Sequence, residues 1–112
     1  MTHEDDRTLA GALAEASAAG RSCVLATIVS TRGSTPRKVG ARMLVDPENG
    51  LTGTVGGGCG EAEVIESAYR VLDSGASERV RVDLTEDFTT WSPAVCGGVM
   101  DVFVERIATE RA

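Results

Sequence analysis

The apolar run at residues 22–30, "SCVLATIVS", is the feature that most limits the folds open to this chain. Nearly every residue in it is apolar or β-branched, so no polar stripe is left to face water. Such a run is typical of a strand whose two faces are both covered. The chain therefore needs a sheet with other elements packed on each side. Cys23, near the start of the run, is interpreted as an inert buried thiol.

Two segments have the helical periodicity needed to form the covering layers. Residues 5–19 and 61–73 place apolar side chains three and four residues apart, which predicts one amphipathic helix in each segment. The apolar positions are Leu9, Ala12, Leu13 and Ala16 in the first helix, and Val64, Ile65, Ala68, Val71 and Leu72 in the second. Glu66 and Arg70 lie one turn apart and can pair.

Four further strands are predicted at residues 41–46, 51–56, 79–84 and 99–107. The first two are joined by "PENG", a strong turn signal, and should form a hairpin. Residues 85–98 are predicted to be a long loop. The order is α-β-β-β-α-β-β, which predicts an α+β fold with α/β-like layers: a mixed sheet of about five strands and two main helices.

Charge and cysteine content exclude several classes of protein. The net charge of −6 argues against a general nucleic-acid or anionic-membrane binder. No run of apolar residues is long enough for a membrane span, and the N-terminus has no signal-peptide pattern, so a cytoplasmic location is expected. Three cysteines without a CxxC pair indicate neither a disulfide framework nor a zinc site.

The stretch "GTVGGGCGEAEV" at residues 53–64 is the first candidate site. Gly56, Gly57, Gly58 and Cys59 follow a strand and precede a helix. Free N–H groups at a helix start carry partial positive charge, and glycines let an anion approach the backbone. The same field would lower the pKa of the Cys59 thiol. The alternative is a tight turn that packs the helix on the sheet, with Cys59 filling a gap.

Two other stretches share these properties. Cys96 and Gly97 begin "CGG", which again sets a cysteine beside a glycine pair. "RGSTPRKVGAR" at residues 32–42 carries Arg37, Lys38 and Gly40 and has no acidic residue. Its proline and glycines predict a shaped loop, and its cations suit phosphate or pterin oxygens. Either stretch is also compatible with an ordinary solvated turn, and sequence separation does not show whether Cys59 and Cys96 share a site.

In this order, "GSTPRKVGARMLV", "GTVGGGCGEAEVIESA" and "CGGVMDVFVE" resemble the N-terminal domain of the XdhC/CoxI family over about residues 8–106. That resemblance implies an accessory protein, without turnover, that binds the molybdenum cofactor (molybdopterin) and helps mature or insert it into an enzyme of the xanthine dehydrogenase or CO dehydrogenase type. Longer members carry a C-terminal Rossmann-like domain. Here we expect a single domain over residues 1–112 without that domain.

The resemblance also implies the site residues and partners. It makes Cys59 the leading candidate for cofactor contact, Cys96 the second such cysteine, and Arg37 and Gly40 members of the matching loop. The expected partners are the apo-molybdoenzyme and a cysteine desulfurase, and a homodimer would cover apolar sheet surface; no nucleic acid or membrane is expected. Two alternatives remain open: a sulfur carrier that uses Cys59, and a structural interaction domain of a molybdoenzyme assembly system.

Overall fold

The computed structural model describes residues 3–56, 60–85 and 97–107. Its elements are α1 (His3–Ala18), β1 (Cys23–Arg32), β2 (Arg42–Asp46), β3 (Gly50–Gly53), α2 (Glu61–Ser74), β4 (Glu78–Asp83) and β5 (Val99–Ile107). The predicted order and the α+β class are confirmed. The predicted loop at 85–98 lies mostly outside the described residues.

The five strands form one sheet in the order β3-β2-β1-β5-β4. All four neighbouring pairs are antiparallel, so the expectation of a mixed sheet is corrected. The reason lies in the connection through α2. It joins β3 to β4, which run in the same direction but lie at opposite edges of the sheet. Three strands separate them, and no parallel pair forms.

The predicted hairpin is confirmed between β2 and β3, which pair from Asp46 opposite Gly50 to Met43 opposite Gly53. However, β3 ends at Gly53, three residues before the predicted end of the strand. Beyond it, the backbone N–H groups of Val55 and Gly56 donate to the side chain of Glu61, the first residue of α2. At the other end of the hairpin, Asp46 accepts the backbone N–H groups of Glu48 and Asn49 and so closes the turn.

The larger core cluster lies between the sheet and α2. The apolar stripe of α2 packs on alternate residues of the three strands β1, β5 and β4. Its fully buried side chains include Ile28, Val64, Val71, Met100 and Val102. The alternation predicted for β4 and β5 is confirmed, since one face of each strand enters this core.

A smaller cluster lies on the opposite face, under α1. Leu9 and Ala16 of the helix pack with Cys23 and Leu44 of the sheet. The run at 22–30 is thus covered on both faces at its N-terminal end, as predicted, because its residues alternate between the two clusters. Beside this cluster, Arg21 donates from Nη2 to Oδ2 of buried Asp46 at 2.9 Å.

Arg70 forms its ion pair with the sheet. It donates to Glu78 at the start of β4, with 2.8 Å from Nη2 to Oε1, rather than along α2 to Glu66. The buried Ser67 hydroxyl donates to the same carboxylate, so Glu78 joins α2 to the edge strand.

No helix in the described ranges is long and apolar enough to cross a membrane.

Candidate functional site

The sheet topology brings the three candidate motifs to one end of the molecule. Because neighbouring strands alternate in direction, β1, β3 and β4 end where β2 and β5 begin. The connections at 33–41, 54–60 and 84–98 all leave from this end, which we call the loop end. The opposite end, with the turn at 47–49 and the Arg21–Asp46 pair, is the hairpin end.

Gly98 joins two of these connections by direct backbone contact. A Cβ built on Gly98 would lie 2.4 Å from the carbonyl oxygen of Arg32 and 2.5 Å from that of Ser34. Only a residue without a side chain fits such an approach. The carbonyl of Gly98 in turn accepts the N–H of Leu84 at 2.9 Å, so Gly98 lies between the basic loop and the end of β4.

Gly60 places the glycine-rich stretch beside the same strand end. It occupies the cap position before α2 with φ of 70°, a left-handed conformation that favours glycine. A Cβ there would lie 2.3 Å from Cγ1 of Val82 and 3.4 Å from Cδ2 of Leu84. Contacts through Leu84 and Gly98 therefore link all three motifs. The turn-packing interpretation of the glycines is correct for Gly60.

Glu61, the first residue of α2, holds the strand-to-helix connection together. Its Oε2 accepts hydrogen bonds from the Thr54 hydroxyl, from the N–H of Val55 at 3.3 Å and from the N–H of Gly56 at 3.4 Å. The Gly56 residue is buried. Its amide, expected to be available to an anion, is thus already engaged, because the nearby carboxylate satisfies it. Any anion at this corner must use other donors.

Sequence reasoning missed Glu61, and the reason is general. Acidic residues are common in the first turn of any helix because they interact favourably with its dipole. α2 carries Glu63 in the same turn, so the two were not distinguishable by residue type. Only the structure distinguishes the two residues, because the carboxylate of Glu61 accepts a hydrogen bond from Thr54 at the other end of the connection.

The basic loop has the fixed shape expected from its proline and glycines. Thr35 is buried, and its hydroxyl donates to the carbonyl of Arg37 at 2.9 Å. The N–H of Gly40 donates to the carbonyl of Ile28 at 2.9 Å, which ties the end of the loop to β1. Arg37 is half-buried and Lys38 is exposed.

The remaining predicted site residues divide into two groups. Gly40 has no atom within 4 Å of a Cβ built on it, so open space lies beside the basic loop at this point. Gly97 is exposed, and its carbonyl oxygen would lie 3.1 Å from a Cβ on Gly33. Gly57, Gly58, Cys59 and Cys96 lie outside the described residues, so their participation stays a prediction.

The electrostatics of the two ends differ. At the hairpin end, the hydrogen bond from Arg21 holds the pKa of Asp46 below its usual range. Burial raises the pKa of the nearby Cys23 thiol, which agrees with the inert role predicted for it. On the sheet near the loop end, the Ser30 hydroxyl lowers the pKa of Asp101. Among the described residues, no group of three or more His, Cys, Asp or Glu side chains is arranged to hold a metal ion.

Comparison with known proteins agrees with this arrangement of motifs. The model of the XdhC and CoxI family matches residues 16–83, which is more than half of the chain. The protein therefore belongs to the XdhC and CoxI family.

Named relatives extend the match. The chain is 38% identical over 90 residues to a probable xanthine dehydrogenase subunit of Bacillus subtilis, which covers 79% of this chain and 27% of the relative. It is 31% identical over 106 residues to the molybdenum cofactor insertion chaperone PaoD of Escherichia coli, covering 93% of this chain and 32% of that one.

A solved structure shares the fold. The crystal structure of a xanthine dehydrogenase from Bacillus halodurans matches with a TM-score of 0.70 and 33% identity, over 85% of this chain and 29% of that chain. The protein described here thus spans about a third or less of the length of each of these relatives.

Proposed function

We propose that this protein is a molybdenum cofactor-binding accessory factor that helps mature or insert the cofactor into a molybdoenzyme of the xanthine dehydrogenase or CO dehydrogenase type. The observation that carries the proposal is the convergence of the three motifs at the loop end. Residues that are far apart in sequence, such as Ser34, Gly60 and Gly98, lie in one chain of contacts there.

The residue types at the loop end suit the chemistry of the cofactor. Molybdopterin carries a phosphate and a dithiolate that chelates the metal, so it is an anion with a soft, sulfur-rich end. Arg37 and Lys38 would hold the phosphate, since both are charged donors on a loop of fixed shape. The open space beside Gly40 allows a ligand to approach the backbone. Cys59 and Cys96 are the proposed contacts at the metal end.

Glu61 refines the proposal. Because its carboxylate already takes the N–H groups of Val55 and Gly56, the phosphate is assigned to the cations of the basic loop rather than to these two amides. Glu61 then has a supporting role: it fixes the backbone at Gly56, while the contact of Gly60 with Val82 fixes the other end of the same turn. Supports of this kind position a binding turn without touching the ligand.

The name of one relative supports a role in cofactor insertion. That relative is called a molybdenum cofactor insertion chaperone, and it matches 93% of this chain. Binding and release of a finished cofactor requires contacts and no bond-making residues. The proposed partner is the cofactor-free molybdoenzyme that receives it.

The proposal is tested by measuring molybdenum cofactor binding to the full chain under anaerobic conditions. We expect Arg37→Ala and Cys59→Ala each to weaken binding by about tenfold, the effect of losing about 1.4 kcal/mol of contact. Cys23→Ala is the matched control for the thiol, because Cys23 is buried at the hairpin end. Arg70→Ala is the control for the guanidinium, since Arg70 pairs with Glu78 at the start of β4, away from the loop end. Both controls should bind as the wild type does.

Thermal unfolding of each variant separates lost binding from lost folding. A wild-type protein that binds no cofactor would overturn the proposal. Unchanged affinity in both test variants would remove the loop end as the binding site. Formation of a complex with a molybdoenzyme, but without bound pterin, would favour the structural interaction domain instead.

A further inference from the structure

One surface of the sheet has no covering element in the described structure. The helix α1 packs on β2, on β3 and on the N-terminal end of β1, and no described helix covers the rest of that side of the sheet, whose residues are half-buried or exposed. We call this exposed region the open face. Its residues are Thr27, Ser30 and Arg32 of β1, Arg42 of β2, Arg79, Arg81 and Asp83 of β4, and Val99, Asp101, Phe103 and Glu105 of β5.

The register of the strands places these side chains in rows. Phe103 lies between Thr27 on one side and Arg79 on the other, and Arg42 extends the same row onto β2. In the next row, Asp101 lies between Ser30 and Arg81. The centre is therefore aromatic and the margin rich in arginine. Phe103 is 37% exposed, which is unusual for an aromatic ring in the middle of a sheet.

Basic residues are concentrated here in an otherwise acidic protein. The open face and the adjoining loop at 33–41 together hold six basic residues, Arg32, Arg37, Lys38, Arg42, Arg79 and Arg81, against three acidic ones, Asp83, Asp101 and Glu105. The rest of the chain has five basic and fourteen acidic residues. Arginine around an exposed aromatic ring is the composition found in protein interfaces.

We propose that the open face docks an acidic, aromatic-containing surface of a partner protein. The inference rests on the proposed function, in which that partner is the cofactor-free molybdoenzyme. The location supports it, because the open face continues directly from Arg32 into the loop that carries Arg37 and Lys38. A partner seated on the open face would stand next to the loop end, where the cofactor must leave.

Charge favours this occupant over two others. The open face has four basic and three acidic residues, so a symmetric pair of copies would set a net positive face against itself and gain no net charge attraction. A nucleic acid would be repelled by the three carboxylates of the open face and by the net charge of −6 of the whole chain. An acidic protein surface avoids the first conflict, and its own basic groups can approach Asp83 and Glu105.

The test uses the full-length chain and a random copolymer of glutamate and tyrosine as the probe, with polyglutamate and oligothymidylate as comparisons. Arg79→Glu and Arg70→Glu form a matched pair. The two arginines are 64% and 58% exposed and each forms an ion pair with an acid, but Arg79 lies on the open face and Arg70 on α2. We expect R79E to weaken copolymer binding at least about tenfold and R70E to weaken it less than about twofold.

Phe103→Ala tests the apolar centre. It should weaken binding of the copolymer but not of polyglutamate, because only the copolymer offers aromatic groups. Cofactor binding measured on the same variants should be unchanged in R79E, so that failure of the docking surface is distinguished from failure of the proposed function.

Several results would overturn the docking proposal. These are no copolymer binding by the wild type, equal loss in R79E and R70E, or tighter binding of oligothymidylate, which would identify a nucleic-acid surface. A wild-type dimer in sedimentation that R79E dissociates would identify a second copy as the occupant.

Discussion

The two ends of the sheet are built in different ways. At the hairpin end, charged side chains satisfy one another: Arg21 donates to buried Asp46, and Asp46 also accepts two backbone N–H groups of the turn. At the loop end, the close contacts are made by glycine backbone, at Gly60 and Gly98. The side chains of Arg37 and Lys38 are left partly or fully exposed there.

This difference separates stability from binding. The carboxylate of Asp46 already accepts hydrogen bonds from Arg21 and from two backbone N–H groups, so it serves to stabilise the hairpin end and not to bind a ligand. At the loop end, glycine contacts bring the connections together, and open space lies beside Gly40. Loops held by a rigid scaffold are where binding residues usually lie. Three substitutions test the comparison, from the largest expected effect to the smallest.

Gly98→Ala should have the largest effect on stability. The new Cβ would meet two carbonyl oxygens at about 2.5 Å, and backbone cannot move aside as a flexible side chain can. We expect a loss of about 3 kcal/mol or more in the free energy of unfolding, measured by urea denaturation. Gly11→Ala is the control: nothing lies within 4 Å of its Cβ position in α1, and it should stabilise by about 0.5–1 kcal/mol. Equal effects of the two would show that the loop end is not tightly packed.

Asp46→Asn should cost about 2–3 kcal/mol, because it leaves the Arg21 guanidinium without its buried partner. Cofactor binding at the other end should be unchanged. A variant that keeps its stability but loses binding would contradict the division between the two ends.

The same substitution has a predictable pH dependence. The folded pKa of Asp46 is lowered, chiefly by Arg21, so the folded state binds fewer protons there than the unfolded state. The stabilisation is present above the unfolded pKa of about 4 and is lost as pH falls through the folded pKa. Urea midpoints measured at decreasing pH should therefore fall less steeply in D46N than in the wild type. Some slope will remain, because the pKa values of Asp101 and Glu78 are lowered too.

Glu61→Ala should have the smallest effect on stability, about 1–2 kcal/mol, because the carboxylate is half-exposed and its bonds to Val55 and Gly56 are long. Its effect on cofactor binding should be larger than its effect on stability, since it releases the turn before α2. Glu63→Ala, in the same helical turn and exposed, is the matched control and should change neither quantity. If E63A and E61A bind cofactor equally well, Glu61 has no positioning role.

Much of the fold could be predicted from periodicity. The helices and strands with strong patterns were predicted correctly: α2 from its apolar stripe, β4 and β5 from their alternating apolar residues, and the hairpin from the turn signal "PENG". The sheet's wholly antiparallel pairing could not be predicted, because it depends on where the crossover through α2 places β4, and no local pattern records that. The short β3 was also missed, since residues 54–56 have strand-like composition but bond to Glu61.

The candidate site was predictable in part. Glycines next to a cysteine or to basic residues identified the three candidate stretches in the sequence. They did not show that the three stretches lie close together in the fold, because that depends on the directions of the strands in the whole sheet. Gly98 and Glu61 were not among the predicted site residues. The role of Gly98 depends on contacts with Arg32 and Ser34, which are distant in sequence, and that of Glu61 depends on how the connection folds back to bring Thr54 beside it.

The most direct test is to titrate the full, isotope-labelled chain with molybdenum cofactor under anaerobic conditions and follow the backbone amide resonances. We predict that the amides of Lys38, Gly40 and Gly97 shift, while those of Glu48 and Asn49 at the hairpin end do not. Shifts confined to the hairpin end, or none at saturating cofactor, would contradict the assignment of the loop end as the cofactor site.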